Sequence, residues 1–283
     1  MKTLFISDFT LDQRSGGAQV SNDLIIKKGR QLGYDITEHT HSSSITDFFH
    51  SYDLVINSNL EAISKISPEK LNYISKFPNS VRLEHDSCSY LDNEKRKNLF
   101  TNCKKTFFLS EFHYSFFKDL YGDYFKNIEI VYDPINTNLF RKIETQKVYD
   151  VVYCGYIHPL KGVNNLINFS RNNPDRHISV FGWGDTNVES VFEKENNIDF
   201  KGAKKYEEVA SVFQQAKAVF HSPIVNEPFC RMVGEAILCG VEEIIGEKNK
   251  IGSYLEFQKV GYDKFKEGCE KAAETFWSKI KEI

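Results

Sequence analysis

The sequence predicts an α/β fold made of two similar halves. Short apolar runs alternate with longer amphipathic stretches along most of the 283 residues, which is typical of parallel sheets with helical crossovers. In the first half, a strand at 3–6 leads through the loop Ser15-Gly16-Gly17 to a helix at 18–32 and a strand at 35–38. The same alternation begins again at 149, so we expect two Rossmann-like halves, each with a parallel sheet.

Composition and charge limit the function classes. Hydrophobic residues make up 41% of the chain and aromatic residues 14%, which is enough for a substantial core. The net charge of -3 argues against binding to a nucleic-acid backbone. We therefore expect no nucleic-acid partner.

The cysteines and the N-terminus indicate the compartment. The six cysteines contain no C-x-x-C pair and lie at Cys88, Cys103, Cys154, Cys230, Cys239 and Cys269. They predict reduced thiols rather than a disulfide framework or a zinc site. The N-terminal MKTLFISDFTLDQ turns polar too early for a signal peptide, and no apolar run reaches the length of a membrane span. We expect a cytoplasmic protein with at most peripheral membrane contact.

The first half continues with further strands and one more clear helix. The strands are predicted at 54–57, 81–84, 106–109 and 128–132, and the helix at 114–121. His85 and Asp86 follow the strand at 81–84 directly. Because ligands bind at the carboxyl ends of parallel strands, these two side chains are candidate site residues, and a solvated loop is the alternative.

The second half repeats the pattern. Strands are predicted at 149–154, 178–181, 197–200, 218–220 and 241–245, and helices at 160–172, 206–216, 228–239 and 262–283. In the helix at 206–216, apolar residues recur at helical spacing, beginning with Tyr206, which predicts a core face rather than a site.

The stretch 221–240, HSPIVNEPFCRMVGEAILCG, carries the strongest functional signal. It predicts a helix with Pro228 at its first position and Gly240 just past its end. Glu227 and Glu235 bracket the start of that helix, about 12 Å apart if both are helical. The free N–H groups and positive dipole end between them suit a diphosphate. The simpler interpretation is an amphipathic helix with two solvated glutamates.

The segment EPFCRMVGEA at 227–236 resembles the EPFGxxxxEA signature of the family 4 (group 1) glycosyltransferases. The resemblance implies the GT-B fold, in which two Rossmann-like domains face each other across an interdomain cleft. It places an acceptor-side domain at 1–135, joined by the terminal helix 262–283, and a nucleotide-sugar donor domain at 136–261. A segment at 131–140 resembles the family's interdomain sequence, with Asp133 and Asn136 exchanged relative to the family pattern.

The resemblance also implies roles for individual residues. Glu227 would contact the sugar hydroxyls, Glu235 the ribose hydroxyls and Lys161 the donor diphosphate, while His85 or Asp86 would contact the sugar from the other wall. Tyr156 stands where the family has a second cation, and Arg231 is the first candidate to replace that charge. The remaining predicted donor-binding residues are Gly16, Gly17, Gly155, Gly182, Gly202, Phe229 and Cys230.

The function implied is transfer of a sugar from a nucleotide-diphosphate sugar to a glycan or other hydroxyl acceptor, with retention at the anomeric carbon. The family works without a bound metal, and no D-x-D motif is present in this sequence. We therefore expect no cofactor and no metal ligand, with Lys161 and the helix N–H groups at Phe229–Cys230 supplying positive charge.

Three other functions are alternatives with different support from the sequence. A catalytically silent relative that binds a nucleotide or glycan would explain Tyr156 and the altered linker. A nicotinamide oxidoreductase requires a G-x-G-x-x-G after a strand, which neither half contains. Modification of a nucleic-acid base has no support from the acidic charge balance.

Overall fold

The computed structural model describes residues 1–14, 16–44, 51–87, 93–185 and 188–283. The chain divides into two compact units. The first comprises Met1–Pro134 and Gly268–Ile283, and the second comprises Ile135–Glu267. Each unit contains its own parallel sheet, so the α/β prediction is confirmed.

The sheet of the first unit has six strands within the described residues. These are β1 (Lys2–Ile6), β2 (Asp35–His39), β3 (Leu54–Asn57), β4 (Ser80–Leu83), β5 (Lys105–Phe108) and β6 (Ile128–Ile130). All neighbours are parallel, in the order β2-β1-β3-β4-β5-β6. The order reverses between β1 and β3, which is where open parallel sheets offer a ligand site.

The helices of the first unit connect these strands. They are α1 (Gly17–Gln31), α2 (Glu61–Ile66), α3 (Pro68–Ile74), α4 (Asn93–Asn102) and α5 (Glu111–Tyr121). Ser110 caps α5, since its hydroxyl accepts a hydrogen bond from the His113 N–H at 3.0 Å.

The second unit has a five-stranded sheet among the described residues. Its strands are β7 (Tyr149–Tyr156), β8 (Ile178–Trp183), β9 (Ile198–Phe200), β10 (Ala216–Phe220) and β11 (Glu243–Ile245). They are parallel, in the order β11-β10-β7-β8-β9. Its helices are α6 (Val163–Asn172), α7 (Tyr206–Gln214), α8 (Arg231–Leu238) and α9 (Gly252–Val260), and α10 (Tyr262–Ile280) begins in this unit and ends in the first. Among the described residues, no helix combines the length and the apolar character needed to cross a bilayer.

The C-terminal part of α10 packs within the first unit, through Trp277. This fully buried indole donates from Nε1 to the Ile25 carbonyl in α1 at 2.7 Å. Gly29 makes room for the ring, because a Cβ at that position would lie 2.4 Å from it. Phe276 packs beside it against Phe107, with ring centroids 4.4 Å apart. The last helix is thereby fastened to both α1 and β5.

The predicted strands are confirmed, each within two residues at either end. Their apolar side chains form a separate core in each unit, because helices cover the sheets. The first core contains Leu4, Ile6, Val55, Leu60, Ile63, Leu71, Ile74 and Leu99. The second contains Val151, Tyr153, Ile157, Val163, Leu166, Ile178, Val180, Phe192, Ala218 and Phe220. The carboxyl ends of the strands are therefore firmly positioned in both units.

A buried histidine in α5 makes the first unit sensitive to acid. Burial is the main cause that lowers the pKa of His113 to about 3. The negative charge of Glu84 raises this pKa, and the positive charge of Arg96 lowers it. The folded state thus holds His113 neutral, whereas the unfolded chain protonates it near pH 6.5. Between these values the unfolded state binds more protons, so stability falls as the pH falls.

We expect the free energy of unfolding to decrease by up to about 1.4 kcal/mol per pH unit between pH 6 and pH 4 because of His113. His113→Phe keeps an aromatic ring between Phe108 and Phe117 and removes the titration. Urea denaturation at several pH values measures the difference in slope between the two proteins. Equal slopes for wild type and variant would contradict the assignment.

Candidate functional site

Glu227 lies in the loop between β10 and α8, and the backbone fixes it there. Its N–H donates to the Lys250 carbonyl at 2.8 Å, and its own carbonyl accepts from the Gly252 N–H at 3.0 Å. These bonds make an isolated parallel bridge between Glu227 and Ile251. The side chain is only 10% exposed, so its carboxylate is held in a defined position.

The helix that follows begins later than the sequence predicts. Helix α8 starts at Arg231 with Cys230 as its N-cap, so the prediction of Pro228 as the first helical position is wrong. The physical reason is the backbone of Cys230, whose φ of 67° is incompatible with continuation of a right-handed helix. Glu227 is consequently not helical, and the separation of about 12 Å drawn from helical rise does not apply. Gly240, with a φ of 77°, does follow the helix end as predicted.

Phe229 anchors this loop rather than forming part of the helix end. Its ring is buried and stacks on Phe265 with centroids 6.0 Å apart. Its carbonyl accepts from the Ser253 N–H at 2.6 Å. Because α8 begins only at Arg231, the Phe229 N–H lies before the helix rather than in its first turn, contrary to the prediction.

Lys161 is brought to Glu227 by the packing of two loops. Lys161 Nζ lies 2.6 Å from Glu227 Oε1. The next residue, Gly162, has a φ of 85°, and a Cβ there would lie 1.9 Å from the Ser222 carbonyl oxygen. Asn165 Nδ2 donates to the same carbonyl at 2.8 Å. Only glycine permits this close approach, which places the lysine beside the carboxylate.

The charges around Glu227 keep its carboxylate ionised. Burial alone raises the pKa of Glu227, but Lys161 and His221 outweigh it and lower the pKa to about 2. Burial also lowers the pKa of His221, whereas Cys230 and Glu227 raise it, to about 9. His221 Nε2 is 3.6 Å from Glu227 Oε1. A carboxylate, an ammonium and, at neutral pH, an imidazolium therefore lie close together here.

Glu235 lies one helical turn beyond Arg231 and is already engaged. Its Oε1 accepts from the Tyr206 hydroxyl at 2.9 Å and from Arg231 at 3.2 Å, and Arg231 also donates to Tyr206 at 2.9 Å. Burial, followed by the Glu235 charge, raises the pKa of Tyr206. The prediction that Tyr206 belongs to a core face accounts for its ring, which packs on Phe140, while its hydroxyl bonds to Glu235 and Arg231. The role of Arg231 as a replacement cation for the diphosphate stays a prediction.

Three predicted glycines lie together at the ends of β7 and β8. Gly155 pairs with Gly182 in the sheet register, and the Gly182 N–H donates to the Gly202 carbonyl at 3.1 Å. A Cβ on Gly182 would lie 2.1 Å from the Gly155 carbonyl oxygen. The absence of side chains lets the three backbones approach closely.

Tyr156, which ends β7, has its own polar partner. Its hydroxyl donates to the Asp185 carboxylate. Its ring stacks on His158 at a centroid distance of 5.4 Å and an interplanar angle of 9°. Trp183 is close by and 46% exposed. A half-buried tyrosine therefore stands where the family resemblance predicts a cation.

His85 and Asp86 follow β4 in the first unit, as predicted. His85 Nε2 lies 3.1 Å from Asn22 Oδ1, and its Nδ1 lies 3.9 Å from Asp133 Oδ1. Asp86 Oδ2 accepts from Asn59 Nδ2 at 3.1 Å. These side chains form a polar group at the carboxyl edge of the first sheet, and their contact with a sugar stays a prediction.

Gly16 and Gly17 stand at the start of α1. Gly16 is the N-cap, with an extended φ of -164°, and Gly17 is the first helical residue. Ser15 lies outside the described residues, as does Cys88. The glycines thus expose a helix N-terminus after β1, while their approach to a phosphate stays a prediction.

Sequence reasoning missed His221 as a site residue. It is the first residue after β10, and its N–H donates to the Ile245 carbonyl at 2.8 Å. The rule that selected His85, a polar residue directly after a buried parallel strand, would also have selected His221. The hydroxyl of Tyr206 had no comparable signal, because its spacing is that of a core position.

Residues 136–262, somewhat less than half of the chain, match the family model of the glycosyl transferases group 1. No curated protein sequence matches the chain. Solved structures match over nearly its whole length. Sucrose-phosphate synthase from Thermosynechococcus elongatus has a TM-score of 0.69 at 12% identity, over 99% of this chain and 96% of that chain. HepE from Anabaena, in complex with UDP and glucose, has a TM-score of 0.63 at 16% identity, over 99% and 95%.

A third match is AviGT4, a glycosyltransferase involved in avilamycin A biosynthesis, with a TM-score of 0.65 at 13% identity, over 99% of this chain and 97% of that chain. The fold is of the GT-B type. The predicted fold class is thereby confirmed. Residues Lys161, Glu227 and Glu235 all fall within the segment that matches the family model.

Proposed function

We propose that this protein is a family 4 glycosyltransferase that moves a sugar from a nucleotide-diphosphate donor to an acceptor hydroxyl, with retention and without a metal. The observation that carries this proposal is the Lys161–Glu227 ion pair beside the N-terminus of α8, inside the segment 136–262. It combines a cation for a leaving diphosphate with a carboxylate for sugar hydroxyls. Cleavage of the donor builds negative charge on the diphosphate, and a cation placed beside it stabilises that charge.

Lys161 supports the departure of the diphosphate. Negative charge builds on the leaving phosphate oxygens as the bond to the sugar breaks, and an ammonium group stabilises that charge. The side chain is 40% exposed, so a donor can reach it. Its present partner is Glu227 Oε1, which implies that donor binding redirects Lys161 from the carboxylate to phosphate.

The two glutamates then bind the two ends of the donor. Glu227 accepts hydrogen bonds from sugar hydroxyls, and Glu235 accepts them from ribose hydroxyls. Tyr206 and Arg231 donate hydrogen bonds to Glu235 Oε1 in the present structure. The ribose hydroxyls would replace these donors or bind beside them. The N–H groups at the start of α8 lie between the two glutamates in the sequence and suit the diphosphate.

The second unit is assigned to the donor and the first unit to the acceptor. HepE has been crystallised with UDP-glucose, which makes UDP-sugars the first donors to test here. The acceptor is a glycan or another hydroxyl compound. We place the reaction in the cytoplasm, where nucleotide sugars are available.

We infer metal independence from the types of residue expected at the diphosphate. Magnesium and manganese require oxygen ligands, and here a lysine and helix N–H groups are arranged instead. We expect the rate of transfer to be unchanged by EDTA and by added Mg²⁺ or Mn²⁺. Retention is checked in the same experiment from the anomeric configuration of the product, by proton NMR. Loss of activity in EDTA with specific rescue by Mn²⁺ would contradict the proposal.

A second candidate function is a binding module without turnover. Tyr156, bonded to Asp185 where a cation would assist the diphosphate, favours it, because loss of one cation costs on the order of a few kcal/mol of leaving-group stabilisation. Calorimetry and an assay for nucleoside diphosphate release separate the two functions. Binding of a nucleotide sugar with no release over hours would identify the module.

Removal of the Glu235 carboxylate should weaken donor binding. We expect Glu235→Ala to reduce the affinity for the nucleoside diphosphate by about 1–3 kcal/mol, since charge-assisted hydrogen bonds to ribose are lost. Glu235→Gln keeps the side-chain shape, and Glu193→Ala removes an exposed glutamate of the same unit as a control. Calorimetry measures the affinities. Unchanged binding in both Glu235 variants would remove Glu235 from the donor site.

A further inference from the structure

Three potential metal ligands meet in the loop before α8. One ligand atom from each of His221, Glu227 and Cys230 lies within 4.8 Å of the other two. His221 and Glu227 are buried, and Cys230 is partly exposed. We propose that these three side chains form a binding site for Zn²⁺.

The backbone holds all three ligands in place. The bridge to Ile251 fixes Glu227. His221 is fixed by its bond to the Ile245 carbonyl and by Gly246, where a Cβ would lie 2.2 Å from the His221 carbonyl oxygen. A zinc ion therefore meets ligands on a rigid framework, which lowers the ordering cost of binding.

Cys230 adopts a backbone conformation that a glycine would adopt at lower cost. Its φ of 67° makes it the one residue other than glycine with a positive φ in the part of the chain that the structure describes. Such conformations in non-glycine residues cost on the order of 1–3 kcal/mol and cluster at functional sites. The strain here positions a thiol next to His221 and Glu227.

The ring nitrogens of His221 have no hydrogen-bond partner among the described residues, and a bound ion would supply a partner. His221 is 5% exposed. The nearest carboxylate oxygen, Glu227 Oε1, is at 3.6 Å from Nε2. Buried polar atoms are normally satisfied, and coordination of a cation satisfies an imidazole nitrogen.

The ligand set selects zinc over the hard cations. Imidazole nitrogen, thiolate sulfur and one carboxylate oxygen suit Zn²⁺, whereas Mg²⁺ and Ca²⁺ require oxygen ligands. Bond lengths of about 2.0–2.3 Å in a tetrahedron separate ligand atoms by roughly 3.3–3.7 Å. The His221–Glu227 separation of 3.6 Å already fits. The other separations are at most 4.8 Å and shorten to tetrahedral values when the ion binds.

Zinc at this site would compete with Lys161. Glu227 Oε1 accepts from Lys161 Nζ at 2.6 Å and also faces His221. A zinc ion that binds this oxygen displaces the ammonium and withdraws Glu227 from the sugar. We therefore expect zinc to inhibit the proposed glycosyl transfer. This inhibition rests on the proposed function, whereas the binding of zinc does not. The proposed zinc site differs from the sequence-based prediction that no residue here is a metal ligand. The proposed transfer reaction itself still requires no metal.

The binding test uses Co²⁺ and Zn²⁺ with the reduced full-length protein and a reductant without thiols. We expect one equivalent of Co²⁺ to give a thiolate charge-transfer band that Zn²⁺ abolishes. Cys230→Gly removes the thiol and suits the positive φ, and Glu227→Gln removes the carboxylate. Either change should weaken Zn²⁺ binding by at least about 10–100-fold. Thermal melting confirms that each variant is folded.

Cys239→Ala is the matched control, because Cys239 is a cysteine of the same unit outside the cluster. It should bind Zn²⁺ as the wild type does. Absence of the charge-transfer band in the wild type, or equal Zn²⁺ affinity in wild type and Cys230→Gly, would overturn the site. In a separate activity assay, inhibition by Zn²⁺ that EDTA reverses supports the coupling to transfer. A protein that binds Zn²⁺ through Cys230 but has no transferase activity would refute the proposed function and leave the zinc site standing.

Discussion

Lys161→Ala is expected to lower kcat by about 10²-fold or more. Lys161 should act mainly on the charge that develops as the diphosphate departs, so turnover should fall more than donor affinity. The change also releases Glu227 from its bond at 2.6 Å. Steady-state kinetics with a saturating donor measure the effect. Lys194→Ala, at an exposed position of the same unit, is the control for loss of one positive charge.

The split between kcat and KM makes this prediction specific. A lysine that only binds substrate would raise KM and leave kcat unchanged. Lys161→Arg keeps the charge but changes its shape, and we expect partial recovery. A Lys161→Ala protein with ordinary kcat would show that another group stabilises the leaving diphosphate.

Glu227→Gln is expected to lower kcat/KM by about 10²-fold, equivalent to about 3 kcal/mol. The amide keeps the size of the side chain but loses the charge that strengthens hydrogen bonds to sugar hydroxyls. It also leaves His221, whose pKa the carboxylate helps to raise, without a charged neighbour at 3.6 Å. Kinetics with several donors of different sugar measure the loss.

Because Lys161 and Glu227 are in direct contact, the effects of changing them should not be independent. Residues in contact have coupled effects, so the double variant Lys161→Ala with Glu227→Gln should lose less than the product of the two single losses. Melting temperatures of all three variants separate activity from folding. Strictly multiplicative losses would indicate that the two side chains act independently in the reaction.

The parallel sheets were predictable because their strands are short apolar runs covered on both faces. The apolar runs 54–57 and 218–220 became β3 and the C-terminal part of β10, since buried parallel strands need continuous apolar residues. The start of α8 was not predictable by the same means. Pro228 is a favourable first helical residue, but the positive φ of Cys230 delays the helix to Arg231, and a cysteine gives no signal for that conformation.

The sequence predicts some of the residues that belong to the candidate site, but it does not predict which of them touch each other. Lys161 and Glu227 were selected individually, yet they are 66 positions apart. Their ion pair depends on the close approach of Gly162 to Ser222, which only coordinates reveal. The Tyr206–Glu235 bond was missed because helical spacing describes where a ring packs and not where a hydroxyl points.

The central claim is that this chain cleaves a nucleotide sugar with Lys161 at the diphosphate. The most direct measurement is release of nucleoside diphosphate from a panel of UDP-, ADP- and GDP-sugars in the presence of EDTA, for the wild type, Lys161→Ala and Lys194→Ala. We expect release from at least one donor by the wild type and the Lys194 control, reduced about 10²-fold in Lys161→Ala. Equal release by wild type and Lys161→Ala, or no release from any donor, would contradict the claim.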